Sequence, residues 1–182
     1  LDGLWNDDFH HSAIVAVTGR NEAYYMDHHG TPQELISAAK YGYLFQGQRY
    51  AWQKQPRGTR TRGVRPAVFV NCIENHDQVA NSGDGARLPR KTTPGRFRAL
   101  STLFILMPGT PMIFQGQEFC SSRPFLYFAD HKHELAMAVQ KGRAEFVSQF
   151  PSLASAQMQA ALAAPHSRET FERCKLDCTE RQ

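Results

Sequence analysis

At 182 residues, 41% of them hydrophobic, the chain is long enough to bury a core of about one domain, and its formal charge of +4 is modest. The longest apolar run, residues 103–107, is too short to span a bilayer, no basic-then-apolar leader pattern occurs, and Cys72, Cys120, Cys174 and Cys178 lack CxxC spacing. These features argue against a membrane helix, a zinc ribbon and a disulfide framework, and they set the expectation of a soluble cytoplasmic protein with reduced thiols.

In chain order, Asn6-Asp7 is the cap of a helix through His10, His11, Ile14 and Val17 that stops at Thr18-Gly19, with glycine in the expected terminal position. Thr31, Pro32 and Glu34 supply an N-cap, a first-turn proline and a carboxylate three residues after the cap, so a second helix is predicted to run to Gly42. Residues 67–73 are β-rich and nearly continuous in apolar character, the pattern of a strand buried on both faces. Residues 74–92 read as a loop. Thr93-Pro94 opens a helix whose apolar positions Phe97, Leu100, Leu103, Phe104 and Met107 form a stripe, and Pro108-Gly109 ends it. Pro111-Met112-Ile113-Phe114 reads as a strand, so residues 67–114 form a βαβ unit with parallel pairing. A further helix is expected from Asp130 or His131, with Leu135, Ala138, Val139 and Phe146 near helical spacing, and a short one over residues 154–162. Residues 54–66 and 163–168 read as linkers.

The first strand ends in Glu74-Asn75-His76-Asp77-Gln78. Two readings fit. Asn and Asp are common turn formers, and the same polar cluster at the carboxyl end of a buried strand is how a (β/α)8 barrel presents catalytic groups. A complete barrel needs about 250 residues, and the chain begins at Leu1 rather than Met. The expected fold is therefore α/β, a partial (β/α)8 TIM barrel holding its last strands and helices, with residues 1–182 as a single segment.

Several motifs resemble those of the maltooligosyltrehalose trehalohydrolases, a branch of the α-amylase superfamily, glycoside hydrolase family 13. They are Trp5-Asn6-Asp7-Asp8-Phe9-His10-His11, Thr18-Gly19 followed by Glu22-Ala23-Tyr24-Tyr25, Tyr43-Leu44-Phe45-Gln46-Gly47-Gln48, Glu74-Asn75-His76-Asp77-Gln78-Val79-Ala80-Asn81, Pro111-Met112-Ile113-Phe114-Gln115-Gly116-Gln117-Glu118, Pro124-Phe125-Leu126-Tyr127-Phe128-Ala129-Asp130-His131 and Thr170-Phe171-Glu172-Arg173-Cys174-Lys175-Leu176-Asp177. The resemblance implies hydrolysis of the α-1,4 bond beside the trehalose end of maltooligosyl trehalose or a related α-glucan, with no metal or organic cofactor. In retaining enzymes of this kind one carboxylate attacks the anomeric carbon and another acts as acid, then base, around an oxocarbenium-like transition state. By resemblance Asp77 is a third carboxylate that stabilises that transition state. His76, Asn75, Gln78, Asp8, His10, His11 and Trp5 are the implied substrate-binding residues. The family's nucleophile and acid/base motifs do not occur in these 182 residues, so the isolated chain is expected to be inactive.

Other classes remain to be separated from this one. The chain reads alternatively as a non-catalytic maltooligosaccharide-binding module, or as part of another α-glucan enzyme such as a branching enzyme. His10, His11, His28, His29 and His76 with Asp7, Asp8, Asp27 and Asp77 are metal-ligating types, but without HExxH or comparable spacing no metal is expected. Arg57, Arg60, Arg62 and Arg65 crowd one Gly-containing stretch, yet no aromatic residue interleaves them, so a solvated loop is expected rather than a nucleic-acid surface. The open edges of a partial barrel make self-association of the chain a further expectation.

Overall fold

The computed structural model describes residues 2–181. Its regular elements are β1 (Leu4–Trp5), α1 (Asp7–Thr18), α2 (Pro32–Tyr41), β2 (Arg49–Tyr50), β3 (Gln55–Pro56), β4 (Phe69–Asn71), α3 (His76–Ala80), α4 (Pro94–Leu106), β5 (Thr110–Pro111), α5 (His133–Val147), α6 (Ala156–Ala160) and α7 (Arg168–Cys174). They fall into two compact units. The first holds the residues up to Glu74 together with Lys91–Phe114, and the second holds Asn75–Arg90 and the residues from Gln115 onward.

In the first unit β1, β4 and β5 form a parallel sheet in the order β1-β4-β5. Leu4 pairs with Phe69, Trp5 with Val70, Val70 with Thr110 and Asn71 with Pro111. The parallel βαβ unit read from the sequence is present, with α4 as its crossover. Its strands are shorter and shifted. Residues 66–68 form a 3₁₀ turn, which leaves Phe69–Asn71 as strand, and the last strand is Thr110–Pro111 rather than 111–114. The third strand, β1, carried no period-2 signal because it spans two residues.

One side chain ties three of these elements together. Asn6 accepts a hydrogen bond from Phe9 N at 3.2 Å, capping α1, while its Nδ2 donates to Gly42 O at the end of α2 and to Asn71 Oδ1 on β4, both at 2.8 Å. A buried Asn so bonded has its polar atoms satisfied, which is the condition for tolerating it in a core. Gly42 sits at φ +83°, and a Cβ there would lie 2.6 Å from the Phe69 ring, so the residue that ends α2 also lets it close onto the sheet. Thr31 caps α2 as expected, and Glu34 turns back to accept from His29 N at 2.8 Å and Gly30 N at 2.7 Å. The core is built around Phe9, Ala13, Tyr50 and Ile73, with Phe9 stacked on Phe104 of α4 at 6.4 Å between centroids.

The expected linker over residues 54–66 is partly a hairpin. β2 and β3 pair antiparallel, Arg49 with Pro56 and Tyr50 with Gln55, across a turn in which Lys54 adopts φ +57°. Asp27 anchors that turn by accepting from Ala51 N at 3.0 Å and Trp52 N at 2.9 Å. These are long-range bonds, and a local reading of the sequence has no access to them.

The second unit is helical. Arg87, buried, donates from Nε to Arg123 O and from Nη1 to Gln115 O, each at 2.8 Å. The stretch 124–131 is pinned along its length: Phe125 N donates to Gly85 O at 2.8 Å, Leu126 N to Cys174 Sγ at 3.1 Å and Ala129 N to Pro165 O at 3.0 Å, while Phe128 meets Phe171 edge-on at 5.1 Å. The helix expected from Asp130 or His131 begins at His133, after an extended Lys132. Its anticipated stripe is not its buried face, since Leu135 is 53% and Phe146 44% exposed while Ala136 and Val147 are buried.

Candidate functional site

The Asn-His-Asp cluster forms the start of a helix rather than the loop expected over residues 74–92. Asn75 is the N-cap of α3: it is extended, 2% exposed, and its Oδ1 accepts from Gln78 N at 2.8 Å. The cap bond commits the Asn75 side chain to the first turn of α3. His76 and Asp77 occupy the first turn and point outward, with side chains 56% and 70% exposed and His76 Nε2 lying 3.9 Å from Asp77 Oδ1. The other end of α3 is held by a residue that the sequence did not single out. Arg143 of α5 donates from Nη2 to Ala80 O at 2.6 Å and from Nη1 to Asn81 Oδ1, and its guanidinium lies over the Tyr127 ring at 5.0 Å. Arginine suits this position because one planar fork serves two acceptors and still stacks on an aromatic face.

The remaining expected site residues lie in the first unit. Trp5, at the carboxyl end of β1, is 47% exposed, and its carbonyl accepts from Tyr43 Oη at 2.8 Å. Asp8, His10 and His11 are enclosed, at 1%, 1% and 3% exposure. Asp8 accepts from Phe45 N at 2.9 Å and pairs with Arg57 at 3.1 Å. Burial pushes its carboxyl above the ordinary range, while the Phe45 N–H and the Arg57 charge pull the other way. Arg57 itself lies over the Tyr50 ring at 4.6 Å and the Phe45 ring at 5.9 Å. The expected cluster of four arginines therefore lacks one member, because Arg57 is turned into the fold by the β2–β3 hairpin.

His10 and His11 pack with residues that follow α1. His11 meets the Tyr25 ring at 4.7 Å, the His28 ring at 5.0 Å and the Tyr24 ring at 5.2 Å. His28 reaches Ser12 Oγ at 3.1 Å through Nδ1. This approach needs Gly30, whose φ is +64° and whose Cβ would fall 2.3 Å from Ala16 N on α1. Removal from water is the main cause that lowers all three imidazoles, with Arg57 adding to it at His28 and His11: the pKa of His10 is lowered to about 3, that of His28 to about 4, and that of His11 well below its usual value. Tyr25 moves the opposite way, mainly through burial and the neighbouring Tyr24. Among the described residues no three His, Cys, Asp or Glu side chains are grouped to hold a metal ion, and no helix is long and apolar enough to cross a membrane.

Comparison with known proteins gives a consistent answer along the chain. The malto-oligosyltrehalose trehalohydrolase of Deinococcus radiodurans is 36% identical over 186 residues, covering 100% of this chain and 30% of the relative. The protein of the same name from Brevibacterium helvolum is 33% identical over 183 residues, covering 99% of this chain and 30% of the relative. Among solved structures, a candidate alpha amylase from Salmonella typhimurium superposes with a TM-score of 0.88 at 36% identity, covering 99% of this chain and 30% of that one. No family model matches the chain. The chain spans about 30% of the length of the curated relatives it matches.

Proposed function

We infer that this chain, which belongs to the malto-oligosyltrehalose trehalohydrolase family, contributes part of a catalytic (β/α)8 barrel that hydrolyses the α-1,4 bond next to the trehalose end of maltooligosyl trehalose. The observation that carries this reading is the presentation of Asp77 on the first turn of α3, the next element along the chain after β4, with the Asn75 cap fixing the turn and Arg143 fixing its far end. An exposed carboxylate on a clamped turn suits a group that grips hydroxyls of the reacting sugar and favours the positively charged, flattened transition state. His76 hydrogen-bonds the same ring, since an imidazole both donates and accepts. Gln78 adds an amide. In the first unit, taken by itself, the half-exposed Trp5 has an indole face suited to apolar sugar C–H surface.

Asp8, His10 and His11 are enclosed within the first unit. Their enclosure suits them to fixing the positions of Phe45, Arg57 and the Tyr24-Tyr25 pair rather than to touching a ligand. The nucleophile and the acid/base carboxylate come from outside these 182 residues, so the chain by itself binds maltooligosaccharide at most and turns nothing over.

The candidate alpha amylase from Salmonella typhimurium supports a second reading, another α-glucan activity of the same superfamily. Product analysis separates the two. A protein containing this chain, supplied with maltooligosyl trehalose, is expected to release free trehalose and a maltooligosaccharide shorter by that unit. Release of maltose or formation of new branch points, with no trehalose, would move the assignment to the second reading.

A further inference from the structure

Between Glu34 and Glu74 the sequence contains no carboxylate side chain, while it carries seven cations: Lys40, Arg49, Lys54, Arg57, Arg60, Arg62 and Arg65. Arg57 is neutralised by Asp8. Three of the others, Lys40, Arg60 and Arg62, line one cleft of about 810 Å³ within the first unit, together with the apolar Pro66 and Phe69. No carboxylate lines it. None of the three cationic side chains has a hydrogen bond or ion pair among the described residues, in contrast to Arg87, Arg123 and Arg143, whose guanidiniums are occupied. A volume of this size is that of a small-molecule site.

We propose that this cleft is a binding site for a small phosphorylated metabolite, a phosphate monoester of sugar size, distinct from the residues assigned to the sugar-cleavage reaction. The charge balance carries the proposal. Guanidiniums present forked donors that match phosphate oxygens, and two of them with an ammonium suit a dianion. The cleft adjoins the end of α2, whose carbonyls would ordinarily repel an anion. Those carbonyls already accept bonds: Ala38 O from Gly42 N at 2.9 Å, Tyr41 O from Thr61 Oγ1 at 2.6 Å and Gly42 O from Asn6 Nδ2 at 2.8 Å. The exposed Tyr41 ring and Val64 supply surface for the organic part of the ligand. A polynucleotide fits less well, because the three cations line a single cleft and no series of aromatic residues accompanies them.

Calorimetric titration of this chain with glucose 6-phosphate, inorganic phosphate, glucose and a single-stranded oligonucleotide tests the site, and the outcome does not depend on the trehalose reading. Glucose 6-phosphate is expected to bind with Kd below about 1 mM and more tightly than phosphate, with no binding of glucose. The Arg60→Gln, Arg62→Gln double variant is expected to lose at least about tenfold in affinity with an unchanged melting temperature, and Lys40→Gln, measured separately, to lose less. Binding that survives all three substitutions, or binding of the oligonucleotide with none of glucose 6-phosphate, would overturn the proposal.

Discussion

The pair formed by Asp8 and Arg57 is the most consequential residue-level feature of the first unit. Removing one partner of a buried ion pair strands the other charge, at a cost of about 3–5 kcal/mol for fully buried pairs. Arg57 retains 24% side-chain exposure, so the cost here is smaller. Arg57→Leu is expected to destabilise the chain by about 2–3 kcal/mol in urea melts at neutral pH, and by less in acid, where Asp8, its carboxyl already raised, takes up a proton. The three enclosed histidines give a separate pH dependence. Their pKa values are lower in the folded chain than the 6.5 of an unfolded histidine, so the unfolded state binds more protons below that value. Stability is full above pH 6.5 and falls as the pH drops toward 4, with a slope of at most about 1.4 kcal/mol per pH unit for each histidine. Protonation of Asp8 offsets part of one such contribution. Thermal melts at pH 7.5 and 5.0 are expected to show a clear loss at the lower value, and His28→Asn, if it folds, to shrink the difference. At this scale the sequence was legible where chemistry is local. Asn6, Thr31 and Thr93 cap helices where they were expected to. It was silent on the enclosure of His10 and His11, because two adjacent polar residues on a helix carry no sign of the Tyr24, Tyr25 and His28 rings that close over them.

At the scale of elements, Asn6 joins the start of α1, the end of α2 and the carboxyl end of β4 through three bonds. Truncating it removes a cap and leaves Gly42 O and the Asn71 amide buried without that partner. Asn6→Ala is therefore expected to cost about 3 kcal/mol, measured by denaturant titration, whereas Asn75→Ala, which removes one cap bond on a five-residue helix, is expected to cost about 1 kcal/mol. A smaller effect for Asn6 than for Asn75 would contradict this reading of the sheet. The capped helices α1, α2 and α4 were recovered almost to the residue, and the βαβ crossover around α4 was recovered with longer strands than the structure has. The elements that escaped notice are two residues long, or are held from a distance: β1 by its parallel partner, the β2–β3 turn by Asp27, α3 by Arg143, and α7, which has no side-chain cap, through the bond from Leu126 N to Cys174 Sγ. Such elements exist because of tertiary bonds and leave little periodic trace.

For the whole molecule, the parallel sheet ends at β1 and β5, and the first unit leaves Leu106 at 78%, Ile105 at 55% and Ile113 at 51% exposure. Open strand edges and large apolar side chains in water favour association. The isolated chain is expected to sediment faster as its concentration rises, and Leu106→Glu to weaken that dependence; a clean monomer at every concentration would refute the expectation. The functional assignment turns on α3. The most direct measurement compares kcat/KM for maltooligosyl trehalose between the protein containing this chain and its Asp77→Asn variant, with melting temperature as the control. A fall of about 10²–10³-fold with unchanged melting is the predicted result. Activity within a few-fold of the parent would show that Asp77 does not stabilise the transition state and would remove the basis of the assignment.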